Sequence, residues 1–191
     1  KVLIFSPHPD DDVISMGGTF IRLVQQGHDV HVAYETSGNI AVHDDVVLQT
    51  IDTARECGFE DKYDEVKRII AGKRKGEPEP LELRKLKGSI RRAEAKAADR
   101  SFGLDPSHVH FLNLPFYETG GLKKAPLSQR DIDIIVKLLR EIEPDQIYAA
   151  GDLADPHGTH RTCMEAVLGA LEVAKDDAWL KNCHLWLYRG A

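Results

Sequence analysis

Near its start the chain sets an imidazole and three carboxylates side by side, in His8-Pro9-Asp10-Asp11-Asp12. Adjacent carboxylates repel one another, and a fold tolerates them away from water when a cation sits among them. Far along the chain a second polar stretch, Asp155-Pro156-His157-Gly158-Thr159-His160, supplies two imidazoles spaced i and i+3. On a helix start that spacing projects both to one side. Taken together, the two stretches offer two histidines and a carboxylate to a divalent ion, with positions left open for water, as a catalytic metal site requires. Each stretch alone is a weak signal: a DDD run is more often a solvated turn or helix cap, and His-x-x-His by itself is as weak. The plain reading is also the one for His28, His31, His108, His110 and His184, taken as core or surface histidines.

The two stretches gain weight from the elements that would position them. Val2 to Ser6 is a short apolar run that ends in a proline-bounded loop, followed by helical periodicity from Val13 to Gln26. Val30, Val32 and Tyr34 alternate with His31, Ala33 and Glu35, a second strand that leads into the loop Thr36-Ser37-Gly38-Asn39. A helix from about Asp44 to Cys57 closes at Gly58, and residues 61 to 80 read as mixed, ending in an exposed, breaker-rich loop from Gly72 to Pro80. The pattern then predicts a long helix from Leu81 to Phe102, a strand from His108 to Asn113, a helix from Asp131 to Glu141 and a strand from Ile147 to Ala150. A helix from Thr159 to Lys175 and a strand from His184 to Tyr188 end the series.

Strands alternating with helices predict an α/β fold: a Rossmann-like three-layer sandwich, its mostly parallel sheet of about five strands covered by helices on both faces. In such sheets ligands bind beyond the carboxyl ends of the strands, where the strand order reverses. Both polar stretches follow strands, the first and the fourth, so adjacency of those strands would bring the two loops together.

Bulk properties narrow the class. With 191 residues and 42% hydrophobic content, the chain can bury the core of one sizeable domain, taken as residues 1 to 191. A net charge of -6 argues against a nucleic-acid partner. No apolar stretch reaches the roughly 20 residues of a membrane span, and no signal-peptide layout is present, so the expected location is cytoplasmic. Cys57, Cys163 and Cys183 contain no CxxC pair and read as reduced core residues. The chain opens on Lys1 in a strand pattern and stops just after a strand, which suggests a segment of a longer polypeptide.

The PHPDDD run with Gly17-Gly18 behind it, and the late His-x-x-His, resemble the LmbE/PIG-L family of metal-dependent de-N-acetylases. Thr36-Ser37-Gly38 is similar to that family's T-x-G loop, and Arg92-Ala93-Glu94 to its R-x-E helix. More narrowly, IFSPHPDDDVISMGGTFIRLV and GDLADPHGTHR resemble the carboxy-terminal part of bacterial proteins that begin with a glucosamine-6-phosphate deaminase-like domain. The resemblance implies metal ligands at His8, Asp11 and His160, a general base at Asp10 and the second histidine of the late motif at His157. It implies Zn2+ as cofactor, with Fe2+ as an alternative, an amino-sugar substrate, and a deaminase-like domain as covalent partner. Two positions depart from the family pattern: Asp12 stands where the first motif usually ends in Glu, and Thr159 where the late motif often has Asp. Asp12 and Asp155 are expected to support the ligands, with Asp155 or Asp152 as the carboxylate that would hold His157.

The chemistry that follows is hydrolysis of the N-acetyl group of an N-acetylglucosamine derivative, with a 6-phosphate as one form of it. Asn39, His43, Arg92, Tyr117 and Glu118 lie on or near the expected rim and are candidate substrate contacts. Two rivals stand beside this reading. One is a non-catalytic or regulatory sugar-binding domain fused to a sugar-phosphate deaminase. The other is a two-histidine, one-carboxylate iron oxygenase, which the alternation of strand and helix disfavours.

Overall fold

In the computed structural model residues 1–59, 62–152 and 154–189 are described. All five residues of the first strand, β1 (Val2–Ser6), are buried, as befits a parallel strand covered on both faces. β2 (Val30–Tyr34), β3 (Val109–Phe111), β4 (Gln146–Ala150) and β5 (His184–Tyr188) join it in the order β3-β2-β1-β4-β5, every pairing parallel. The order reverses at β1, which pairs with β2 on one side and β4 on the other. The loops that leave β1 and β4 therefore emerge next to each other at one end of the sheet, where ligands bind in folds of this class.

Six α-helices lie among the described residues: α1 (Asp11–Gln25), α2 (Asp44–Glu56), α3 (Tyr63–Ala71), α4 (Leu81–Phe102), α5 (Gln129–Ile142) and α6 (Thr159–Val173). On one face of the sheet Leu3, Phe5, Ile147 and Ala149 pack against Ile135 and Leu139 of α5 and Cys163, Ala166 and Val167 of α6. On the other face Val2, Ile4, Val32 and Tyr34 meet Met16 and Phe20 of α1 and Ala95 of α4. The expected three-layer α/β sandwich is the fold. Among the described residues no helix is long and apolar enough to cross a membrane.

The structure differs from the expectation between residues 61 and 80. Residue 61 lies outside the described residues, but Tyr63–Ala71 forms α3, whose Val66 is buried while Ile69 and Ile70 pack against the same small cluster between α2 and α4. Nine residues with two turns of apolar spacing make a weak periodic signal, and tertiary packing supplies what local propensity does not. The Gly72–Pro80 segment is also pinned. Lys73 pairs with Asp44 and Glu79, and the buried Lys87 pairs with the same two carboxylates, tying α2, α4 and the loop together. The third strand is shorter than its pattern suggested, three residues rather than six.

Candidate active site

The loop after β1 is held from several sides. The Thr36 N–H and hydroxyl both donate to Pro7 O, at 3.1 and 2.7 Å, and the Ser6 hydroxyl donates to His8 O at 2.6 Å. Gly38 adopts φ +64°, and a Cβ there would stand 2.9 Å from Pro9 Cδ and 3.3 Å from Arg91 Nε. A glycine is required on both counts. The Thr36-Ser37-Gly38 loop is thus the seat on which His8-Pro9-Asp10 rests.

From this loop and from the start of α6 three donor atoms converge. His8 Nδ1 lies 3.0 Å from Asp11 Oδ2, His160 Nε2 lies 3.2 Å from the same oxygen, and the two nitrogens are 3.3 Å apart. Ligands bound at about 2.0–2.1 Å across a tetrahedral angle lie about 3.3 Å from one another. His8, Asp11 and His160 therefore fit a divalent ion. Burial disfavours charge on Asp11, yet hydrogen bonds from His160 and His8 outweigh it and hold the carboxyl well below the usual carboxylate range. Burial also disfavours an imidazolium at His160, but Asp11 and Asp152 prevail and push its pKa up to about 9.

The supporting carboxylates have distinct tasks. Both Asp152 oxygens lie 2.9 Å from His160 Nδ1, which leaves Nε2 to face His8 and Asp11. Such a partner fixes the tautomer and ring angle of a ligating histidine. Asp155 accepts the backbone N–H of His157 and of His160, at 3.0 and 3.2 Å, and so caps the first turn of α6. Neither carboxylate is bonded to the His157 imidazole, so the structure corrects the expectation that one of them orients it. Asp12 is fully buried beneath the loop, bonded to Ser6 Oγ and to the Tyr34 hydroxyl. The shorter side chain at this position faces the core rather than the pocket.

Asp10 does face the pocket, with its carboxylate 41% exposed and 2.7 Å from Arg91 Nη2. His157 stands exposed on the rim, its carbonyl held by Lys124 Nζ at 2.9 Å. The cavity these residues border has a volume of about 980 Å³, with Ile40, Tyr117 and Leu122 as apolar walls and Arg91, Lys124 and Arg189 as cations.

The candidate rim residues divide. Tyr117 lines the cavity. Asn39 and Glu118 bond each other through Asn39 Nδ2 at 3.1 Å, and Glu118 also accepts the Ser37 N–H, joining the loops after β2 and β3. His43 is exposed just before α2, and Arg92 sits above the Phe111 ring at 5.9 Å; neither is among the described residues that line the cavity.

Sequence reasoning missed Arg91, which binds Asp10 and Glu94; its i,i+3 spacing to Glu94 was the available signal. It also missed Glu35, fully buried at the end of β2 and pushed up to about 8, chiefly by burial, beside Cys163.

The sequence pattern of the PIG-L family, described as GlcNAc-PI de-N-acetylase, matches residues 3–171. A glucosamine-6-phosphate deaminase-like protein of Bacteroides thetaiotaomicron is 50% identical over 203 residues, covering 100% of this chain and 31% of that protein. The chain thus spans under a third of the length of this curated relative. The N,N'-diacetylchitobiose deacetylase of Pyrococcus horikoshii shares the fold with a TM-score of 0.63 at 21% identity, over 98% of this chain and 59% of that one. The 4-carboxy-2-hydroxymuconate hydratase of Pseudomonas putida KT2440 does so with a TM-score of 0.58 at 19% identity, over 94% of this chain and 59% of that one.

Proposed function

Because the chain belongs to the PIG-L family, we propose that it is a metal-dependent amide hydrolase that removes the N-acetyl group from an N-acetylglucosamine derivative. The observation that carries the reading is the convergence of His8, Asp11 and His160 within 3.0 to 3.3 Å of one another, with a fourth group, the Asp10 carboxylate, open to the pocket beside them. A binding domain has no need of a spare carboxylate next to a metal-ligand set.

His8, Asp11 and His160 would hold the ion, and zinc or ferrous iron both suit two imidazoles and a carboxylate. When bound, the ion supplies Lewis acidity, lowering a water's pKa from 15.7 to about 7. Asp10 takes the proton of the attacking water as the new C–O bond forms, and Arg91 fixes the direction of that carboxylate. The His157 imidazole, on the rim of the same cavity, donates to the developing oxyanion. The proton held by Asp10 then passes to the nitrogen as the C–N bond breaks, which leaves acetate and a free amine.

Lys124 and Arg189 on the cavity border favour an anionic sugar, such as a 6-phosphate. The kinship with a deaminase-like protein supports the same substrate: deacetylation of N-acetylglucosamine 6-phosphate yields what a glucosamine-6-phosphate deaminase consumes. In this reading residues 1–191 form one deacetylase domain joined to a deaminase-like partner.

The test is acetate release from N-acetylglucosamine and its 6-phosphate, with metal content measured in parallel. Asp10→Asn should keep the metal and lose about 10²–10⁴ in turnover, the range for a general base. His160→Ala should lose the metal as well. Normal acetate release by Asp10→Asn, or full metal retention by His160→Ala, refutes the assignment.

A further inference from the structure

A second group of metal-ligating side chains lies at the other end of the sheet. His31 is the second residue of β2 and His108 immediately precedes β3, both near the amino ends of their strands. The pairings Val32 with Val109 and Ala33 with His110 bring His31, His108 and His110 to one face. Their rings form a short stack, with centroids 4.0 Å apart for His31 and His108 and 5.4 Å for His31 and His110. Asp29, just ahead of β2, reaches over this stack.

We propose that Asp29, His31 and His108 form a second divalent-metal site, of the zinc, cobalt or nickel type, with His110 as the residue that positions His31. Asp29 Oδ1 lies 3.4 Å from His31 Nε2 and 3.5 Å from His108 Nδ1. Both distances exceed the 2.9–3.0 Å of a well-formed N–H···O bond, and both are close to the edge of about 3.3 Å between tetrahedral ligands held at about 2.05 Å. One carboxylate oxygen thus lies about equally far from two imidazole nitrogens, and all three donor atoms fall within 4.8 Å of one another, a span one ion can bridge. Val30 O adds a further oxygen 3.1 Å from His108 Nδ1.

On the far side of the ring, His31 Nδ1 meets His110 Nε2 at 3.1 Å. A proton on His31 Nδ1, donated to His110, turns the Nε2 lone pair toward Asp29. That arrangement is repulsive without a cation and favourable with one, and a histidine ligand ordinarily donates its other ring N–H in this way. The side chains of His31, His108 and Asp29 are 14%, 31% and 46% exposed, so an ion has access and room for a water ligand. Two N donors and a carboxylate select a borderline transition metal over magnesium or calcium. By joining the edge strand β3, three residues long, to β2, the ion would act as a staple. Without it, an N–H at His108 Nδ1 can donate to Val30 O at 3.1 Å, while Asp29 Oδ1 stands off at 3.5 Å.

The proposal stands apart from the active-site reading and is tested with that site removed. A His8→Ala/His160→Ala double variant of the full chain, dialysed against zinc, should retain one ion per chain and gain thermal stability from it. Adding His108→Gln, a substitution outside the strand, should weaken zinc binding at least 10-fold and abolish the gain. His110→Phe should weaken it about 10–100-fold, the usual effect of removing an orienting partner. Absence of zinc from a double variant with normal circular dichroism overturns the proposal. So does undiminished binding after His108→Gln.

Discussion

Replacing Asp99 by asparagine should stabilise the protein, and by more at pH 8 than at pH 5. Asp12 and Asp99 are both buried, and the Tyr34 hydroxyl lies 3.0 Å from each of them. That hydroxyl has one proton, so it can donate to one carboxyl and must accept from the other. Burial pushes Asp12 up to about 6 and Asp99 up to about 7, with the Asp12 charge adding to the effect on Asp99. The sign follows from linkage. A carboxyl whose folded pKa is raised contributes stability that is complete below its unfolded pKa near 3.8 and lost as pH rises through the folded value. Between pH 5 and the Asp99 value of about 7, two pH units at about 1.4 kcal/mol each give a loss on the order of 2–3 kcal/mol at most.

An amide cannot ionise. Its N–H can donate to Tyr34 O while the Tyr34 hydroxyl donates to Asp12, which satisfies the row. The advantage of Asp99→Asn over the natural chain should therefore grow by roughly 4–12 °C in Tm between pH 5 and pH 8, at about 2–4 °C per kcal/mol for a domain of this size. Thermal unfolding of both proteins at the two pH values, followed by circular dichroism, measures it. Equal Tm differences at pH 5 and pH 8, or a disadvantage that increases with pH, would show that burial does not keep the Asp99 carboxyl protonated up to about pH 7.

Two further perturbations address how the proposed metal ligands are held. Asp152→Asn removes the charged acceptor from His160 Nδ1 and should weaken zinc binding about 10–100-fold with little change in Tm of the metal-free protein; equilibrium dialysis decides it, and unaltered affinity would show that Asp152 does not orient the ring. Gly38→Ala places a Cβ against Pro9 Cδ at left-handed φ and should cost about 1–2 kcal/mol from backbone strain. Zinc affinity should fall with it, since the displaced loop carries His8, and a variant with reduced Tm but native affinity would separate the seat from the ligand.

Much of this was legible in the sequence because two kinds of signal were strong. Buried parallel strands are short apolar runs, and helices such as Asp131 to Glu141 show clear periodicity, so the order of elements followed and with it the meeting of the loops after β1 and β4. What stayed hidden depends on a one-residue rotation or on distant partners. Arg91 and Arg92 differ by about 100° around α4, and that rotation sends one guanidinium to Asp10 and the other to the Phe111 ring. Glu35 read as the polar face of an alternating strand, whereas a sheet covered on both faces buries it. The pairing of Asp152 with His160 rather than His157 turns on where Nδ1 points, which residue spacing does not encode. His31 and His108, each ordinary as a single residue, acquire meaning through strand register across 77 positions of sequence.

The fold by itself does not decide the reaction, since a hydratase shares it with a deacetylase. Both chemistries begin with an activated water, and they part at the next step. Amide hydrolysis must deliver a proton to a leaving nitrogen, so the group that accepts the first proton has to release it again within reach of that nitrogen. Asp10 is placed for this by its ion pair: Arg91 fixes its direction from α4, and the Asp11 carboxylate beside it is committed to His8 and His160. In the proposed reading, two adjacent residues of the same type would thereby be given different work by their neighbours, one as ligand and one as proton carrier. Exchanging those neighbours, rather than the aspartates themselves, is what would convert one role into the other.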